Sequence, residues 1–145
     1  MLRDPSLIPL SHQHHNGLAL CVLTDRALAA NSTPASVQQL AQRIIDRYEI
    51  ELINHFELEE QLLFPTSPGP LVDELTAEHR QLESLVAQLR TTPSPDLLTQ
   101  FTQLLRTHIR REENDLFQTI QRDLPRPQLD SIGQEIAKKA VQVCL

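Results

Sequence analysis

Apolar residues recur at three- and four-residue spacing along four long stretches of the chain, a pattern that predicts four amphipathic helices. The first helix is expected to begin after Ser11, a good N-cap residue, and to run to about Ala30. The second is expected to begin at Thr33-Pro34, a capping residue followed by proline at the first helical position, and to end at Pro65. The inward-facing stripes of the second, third and fourth helices are, in that order, Ala41, Ile44, Tyr48, Leu52, His55, Glu59 and Leu62; Leu71, Leu75, His79, Leu82, Val86 and Leu89; and Leu97, Phe101, Leu104, His108, Glu112 and Leu116.

Proline-rich breaks at residues 67–70 and 92–95 separate the later stretches, and the fourth helix is expected to stop before Pro125. A shorter amphipathic segment at about residues 127–143 predicts a fifth helix, although Gly133 lies within it. With 3 glycines and no alternating apolar–polar run, strands are not expected. The pattern predicts an all-α, up-down-up-down four-helix bundle at about residues 10–122 with a short C-terminal helix, in one domain spanning residues 1–145. The inward face of the fifth helix is Leu129, Ile132, Ile136 and Ala140.

The composition argues against several functional classes. The net charge is −6 and tryptophan is absent, so the chain offers neither a basic patch nor a stacking platform for nucleic acid. No apolar run approaches the length of a membrane span, and the N-terminal residues lack the apolar segment of a signal peptide. Cys21 and Cys144 have no zinc-type spacing, so we expect a cytoplasmic protein with free thiols. The sequence leaves open a homodimer or a separate protein partner.

Polar residues interrupt the inward-facing stripes in a repeated motif. Residues 55–64 and residues 108–117 both read H-x3-E-E-x2-L-F. A histidine and a glutamate four residues apart project from one face of a helix, so each copy offers an imidazole and a carboxylate together. The first helix adds His14 or its neighbour His15, and the third adds His79. The likeness of the two halves raises the hypothesis of a duplicated chain.

A bound cation explains why such residues would lie in a helical core. Burying unpaired carboxylates is costly, and a metal ion compensates their charge. Taken singly, a core histidine is more often structural, and Glu60 and Glu113, one step off the stripes, are expected on solvated faces. The complete set of two His–Glu pairs and two further histidines nevertheless predicts a metal cage inside the bundle. Mixed imidazole and carboxylate ligation favours iron or manganese over calcium or structural zinc.

The pattern resembles the hemerythrin-like HHE cation-binding family, whose motif is H…HxxxE…H…HxxxE, over about residues 10–120. The resemblance implies a non-haem di-iron centre with two iron ions, bridged by the two glutamates and by an oxo or hydroxo group. Manganese or zinc could occupy the same ligands. His14 fits better than His15, because it follows Leu10 by four residues with Ser11 as the intervening cap. The ligands so implied are His14, His55, Glu59, His79, His108 and Glu112.

Two positions depart from the oxygen-carrying hemerythrins that the chain resembles. Those proteins add a fifth histidine one turn before the third-helix histidine, where this chain has Leu75. They also carry an aspartate five residues after the last histidine, where this chain has Glu113. One iron is therefore expected to hold water, or to be completed by Glu78, Glu83 or His15.

Three functions fit these residues, and we expect the first. A binding protein would take up oxygen, nitric oxide, peroxide or iron itself for sensing, storage or detoxification, beneath a dry apolar pocket. A di-iron enzyme would decompose peroxide or reduce nitric oxide, with Tyr48 as a nearby hydrogen-bond or electron donor. A structural bundle would mediate protein contacts without metal. The candidate pocket residues are Leu18, Leu52, Leu75, Phe56 and Phe101.

Overall fold

The structure, a computed structural model, describes residues 2–142 and consists of five helices with short connections. Two of them, α2 and α4, contain π turns, in which the backbone hydrogen bonds span five residues instead of four. The described residues contain no strand, which confirms the all-α class. The elements are α1 (Ile8–Ala30); α2 (Pro34–Arg47, π turn Tyr48–Leu52, Ile53–Leu58 and π turn Glu59–Leu63); α3 (Pro70–Thr91); α4 (Pro95–Arg111, π turn Glu112–Leu116 and Phe117–Asp123); and α5 (Arg126–Lys139).

The first four helices enclose a common core. Helix α1 packs against α2 and α4, and α3 packs against the same two helices. Because short connections join successive neighbours, the four helices run up-down-up-down. Helix α5 packs across one end of the bundle, against the turn before α1 and the second π turn of α2. Among residues 2–142, no helix is long and apolar enough to span a membrane.

The predicted start of the first helix after Ser11 is wrong. A 3-10 turn at Pro5–Leu7 leads directly into α1. Asp4 caps this turn and accepts a hydrogen bond from the backbone N–H of Ser6 at 3.0 Å. An Asp-Pro pair is itself a signal for a helix start, and here it precedes the serine. Ser11 lies inside α1, where its hydroxyl donates to Glu113 at 2.8 Å.

The other helix ends follow the sequence signals more closely. Thr33 caps α2 as predicted, because its hydroxyl accepts a hydrogen bond from the backbone N–H of Ser36. Helix α4 ends before Pro125, also as predicted. The fifth helix is shorter than expected, since it ends at Lys139 and the backbone of Ala140 is extended. The predicted end at residue 143 lies outside the described residues.

The buried face of α2 differs from the predicted stripe where the helix contains its π turns. The backbone N–H groups of Phe64 and Phe117 bond to the carbonyls five residues earlier, so each π turn holds one residue more than a regular turn. Leu63 is buried, whereas Leu62 and Tyr48, both expected on the inward stripe, are only partly buried. Other predicted stripe residues that are only partly buried are Leu71, Leu97, Leu104, Ile132 and Ala140.

Two apolar clusters form the core, and a polar layer separates them. Along α3, Leu75 belongs to one cluster and Leu82 to the other, with His79 between them. The same order holds along α1 around His14. Cys21 lies within one cluster, as expected for a small core residue, and Cys144 lies outside the described residues. The bundle thus places its buried polar residues at mid-height.

Gly133 allows α5 to contact the turn before α1. A Cβ atom at Gly133 would lie 2.5 Å from the hydroxyl oxygen of Ser6 and 2.8 Å from its Cα. These distances are too short for any side chain at this position. Close backbone packing therefore explains the glycine inside the fifth helix.

We expect Gly133→Ala to destabilise the protein by about 1–3 kcal/mol, because the added methyl group overpacks the contact with Ser6. Alanine has the higher helix propensity, so propensity alone predicts the opposite sign. Urea denaturation measures the change. Gln134→Ala, at the exposed neighbouring position, is the control and should stay within about 0.5 kcal/mol of the wild type. Equal midpoints for the two variants would contradict the close-packing account.

Candidate metal centre

The six residues that the family resemblance implies as ligands meet in the polar layer of the bundle. Helices α1 and α3 each supply one histidine, and α2 and α4 each supply one His–Glu pair. None of the six side chains is more than 3% exposed. They form two overlapping groups, here called the first half-site (His14, His55, Glu59 and Glu112) and the second half-site (His79, His108, Glu59 and Glu112).

The two glutamates are shared by both half-sites. Glu59 Oε1 lies 3.1 Å from Nε2 of His55 and 3.2 Å from Nε2 of His79. Glu112 Oε1 lies 2.9 Å from Nε2 of His14 and 3.1 Å from Nε2 of His108. Within each half-site, one ligand atom from every residue lies within 4.8 Å of the others. Each carboxylate therefore meets one imidazole from each half-site, as a bridging ligand would.

Local helix geometry produces this sharing. One helical turn separates His55 from Glu59 in α2, and the same spacing relates His108 to Glu112 in α4. Each glutamate is also the first residue of a π turn. Single π turns inside α-helices are frequent at functional sites. Here they begin at the two residues that lie between the half-sites.

Several buried atoms of the cluster have no hydrogen-bond partner within the part of the chain that the structure describes. They are Nε2 of His55 and the Oε2 atoms of Glu59 and Glu112. In addition, Nε2 of His79 lies 3.1 Å from Nε2 of His108, so a proton or another cation has to lie between two nitrogen lone pairs. Buried polar atoms are rarely left unpaired. In each half-site, two imidazoles and two carboxylates face one another and fit a divalent cation, and this donor set suits iron or manganese.

The clustered groups shift one another's pKa values. Burial raises the pKa of Glu59 well above its usual range, and the neighbouring Glu112 carboxylate adds to the shift. Burial, together with the charge of His108, lowers the pKa of His79 to about 2. Despite its own burial, His108 has its pKa raised to about 10, chiefly by Glu112 and then by Glu78. A bound cation would compete with protons for these groups.

Glu60 and Glu113 do not point to solvent, so the expectation of solvated faces is wrong. Glu113 accepts a hydrogen bond from Nδ1 of His14 at 2.5 Å, and Glu60 accepts one from Nδ1 of His79 at 2.7 Å. Their side chains are 25% and 27% exposed. An acceptor at Nδ1 keeps the proton on that atom and leaves the lone pair of Nε2 for the cluster.

The other two histidines have equivalent partners. Nδ1 of His55 donates to Gln13 Oε1 at 2.9 Å, and Nδ1 of His108 donates to Glu78 Oε1 at 2.8 Å. Glu78 also accepts a hydrogen bond from Arg111, so it belongs to this outer layer and to neither half-site. Sequence reasoning missed Gln13, although it directly precedes the first-helix histidine, as Glu78 precedes the third-helix one.

Three phenylalanine rings pack against the imidazoles. Phe56 stacks on His79 with the ring centroids 4.0 Å apart, and Phe64 stacks on the same histidine at 5.4 Å. Phe117 stacks on His14 at 5.2 Å. Phe56 was expected beside the site, whereas the other two rings were missed, although they end the two motif copies. Apolar rings at these positions keep water from the buried imidazoles.

The two motif copies have equivalent roles in three dimensions. Glu60 and Phe64 of the first copy both contact His79, and their counterparts in the second copy both contact His14. The correspondence thus extends beyond the ligand positions to the residues that orient and cover them. This supports the hypothesis of a duplicated chain.

The remaining candidates lie outside the cluster. His15 is exposed and Glu83 pairs with an arginine of its own helix, and neither belongs to a half-site. Tyr48 packs edge-on against Phe56, with centroids 6.5 Å apart. Leu18, expected to line a dry pocket, is only partly buried. The geometry therefore places His14, and not its neighbour, at the cluster.

Four histidines and two glutamates meet at mid-height in the core of a helical bundle. The chain is therefore of the class of helical bundles with a candidate metal site in the core. The particular family is shown by sequence: the model of the hemerythrin HHE cation binding domain matches residues 7–120, and the chain belongs to this family. The matched region contains all six clustered residues. The curated proteins compared with the chain include no match.

Proposed function

We propose that this chain is a non-haem di-iron protein that binds small oxygen species, namely oxygen, nitric oxide or peroxide, for sensing, storage or detoxification. The proposed metal ligands are His14, His55, Glu59, His79, His108 and Glu112. The observation that carries the proposal is the pair of shared carboxylates. Both have one oxygen between two imidazoles and a second, buried oxygen without a partner. Two ions bridged by these carboxylates would satisfy every unpartnered atom of the cluster.

The chain offers each ion two imidazoles and two shared carboxylates. Four protein donors leave open positions on iron, where a small ligand or water would bind. A di-iron centre, when bound, would supply a redox couple and Lewis-acid positions for such ligands. The protein's own contribution is to hold each Nε2 lone pair toward the cluster and to exclude bulk water with the stacked phenylalanine rings.

The metal-free structural bundle is the weaker alternative. It would require two carboxylates and four histidines to be buried in contact with one another without a compensating cation. Such an arrangement buries carboxylates that the protein interior does not solvate. For a bundle that only mediates protein contacts, apolar residues at these positions would be more stable.

Nitric oxide titration of the reduced, iron-loaded protein tests the proposal. We expect a saturable visible and electron paramagnetic resonance signal that reverses when the gas is removed, because open iron positions bind nitric oxide without turnover. His14→Ala should lose the iron of one half-site, whereas His15→Ala, at the exposed adjacent position, should match the wild type.

Iron-loaded protein that gives no spectral change with nitric oxide, oxygen or peroxide would contradict the binding function. Catalytic consumption of peroxide or nitric oxide, in many turnovers per chain, would instead establish the enzyme alternative.

A further inference from the structure

The end of α5 is hydrogen-bonded to the residue next to a candidate metal ligand. Asn54 directly precedes His55 in α2. Its side-chain N–H donates to the carbonyl of Lys139 at 3.0 Å, and its Oδ1 accepts from the backbone N–H of Val141 at 2.9 Å. Two backbone groups of the C-terminal segment, residues 139–141, are thus held by one side chain.

Gln13 links this contact to the metal centre. Its side-chain Nε2 donates to Asn54 Oδ1 and to the carbonyl of Val141, both at 3.0 Å. Its Oε1 accepts the hydrogen bond from Nδ1 of His55. The Gln13 side chain is buried, at 2% exposure, so water does not replace these partners. A continuous chain of hydrogen bonds therefore runs from the C-terminal segment to an imidazole of the first half-site.

The orientation of the Gln13 amide decides whether His55 suits a metal. Rotating the amide by half a turn would place its N–H group opposite Nδ1–H of His55, donor against donor. The two acceptors on the other side, Asn54 Oδ1 and the Val141 carbonyl, hold Nε2 away from the imidazole. With Oε1 toward the ring, His55 keeps its proton on Nδ1 and its lone pair at the cluster.

Among residues 2–142, the second half-site has no such link to the C-terminal segment. There the histidine partner is the carboxylate of Glu78, which accepts in either orientation. The position equivalent to Asn54 is Thr107, which directly precedes His108. Thr107 is exposed, and its hydroxyl donates to the Gln103 carbonyl of its own helix. The two motif copies therefore differ in this respect: the residue before His55 contacts the C-terminal segment, and the residue before His108 does not.

We infer that Gln13 and Asn54 are positioning residues that make metal binding at the first half-site depend on the docked C-terminal segment, residues 139–141. The inference rests on the proposed di-metal function. Undocking the segment frees the Gln13 amide, loosens His55 and weakens the first half-site alone. By linkage, metal at the first half-site holds the segment in place.

Stepwise metal titration of the full chain, with Fe²⁺ or Mn²⁺ and a competing chelator, tests the inference. Asn54→Leu should weaken one of the two binding steps by about 10–100-fold and leave the other unchanged. Asn54→Asp keeps the acceptor for Val141 and Gln13, and should restore most of the affinity. Thr107→Val, the matched change beside His108, should change neither step.

A second measurement reports the reciprocal effect. Hydrogen exchange of residues 139–142 should slow when wild-type protein is loaded with metal, and should be unchanged by metal in the Asn54→Leu variant. Two binding steps of wild-type affinity in Asn54→Leu would overturn the inference and leave the proposed function standing. Equal weakening of both steps would also overturn it, because the effect would then be general destabilisation. A wild-type chain that binds no metal would overturn the proposed function first.

Discussion

Glu59→Ala is expected to abolish metal binding at both half-sites, whereas His79→Ala is expected to abolish it at one. The reason is that the Glu59 carboxylate lies between imidazoles of both groups, while His79 belongs only to the second. Loss of a hydrogen-bond partner of a ligand typically lowers metal affinity by about 10–100-fold. Loss of the ligand itself should lower the affinity by more than about 100-fold. Metal content after loading with two equivalents distinguishes the two variants.

The matched control is Glu57→Ala, an exposed glutamate two residues away in the same helix. It should retain the metal content of the wild type. If Glu59→Ala lost only one ion, or if His79→Ala lost both, the shared-carboxylate arrangement would be wrong. Circular dichroism should show that each variant is helical, so that loss of metal is not loss of fold.

Removal of metal by a chelator is expected to lower the thermal midpoint by about 10 °C or more. A free metal concentration about 1,000 times the dissociation constant contributes roughly 4 kcal/mol to stability. Each kcal/mol corresponds to a few degrees for a chain of this size. The physical source is the buried pair Glu59 and Glu112: burial and the charge of Glu112 raise the pKa of Glu59, and one oxygen of each glutamate has no hydrogen-bond partner among the described residues.

Scanning calorimetry with and without chelator measures this difference. The control is the double variant Glu59→Gln and Glu112→Gln, which removes both charges and should not respond to the chelator. It should also unfold at a higher temperature than the chelated wild type, because neutral amides replace two buried carboxyl groups whose ionisation burial and mutual repulsion oppose. Equal midpoints for wild-type protein with and without chelator would contradict a metal that stabilises the fold.

The helices and the cluster could be predicted because both follow from helical periodicity. The His–Glu spacing puts both side chains on one face in any regular helix, and residues such as Leu75 and Leu82 mark that face as buried. The structure therefore brings together the set of six residues that the motif implied. The proline-rich breaks likewise give the helix ends by chain geometry alone.

The outer layer could not be predicted in the same way, because it depends on how different helices turn toward one another. Leu62 and Leu63 both lie at helical spacing from Glu59, three and four residues away, so periodicity alone does not decide which of them is buried. Glu60 and Glu113 look like solvated residues one step off the stripe, yet each reaches a histidine on another helix. The link from Val141 to Gln13 joins residues far apart in sequence and leaves no local signal.

The number of metal ions per folded chain tests the central claim most directly. Protein produced in iron-replete cells, purified without chelator and analysed by inductively coupled plasma mass spectrometry, should contain two metal ions per chain, with iron predominant. A folded, stable protein that contains no metal, and binds none when Fe²⁺ is added anaerobically, would contradict the di-iron account.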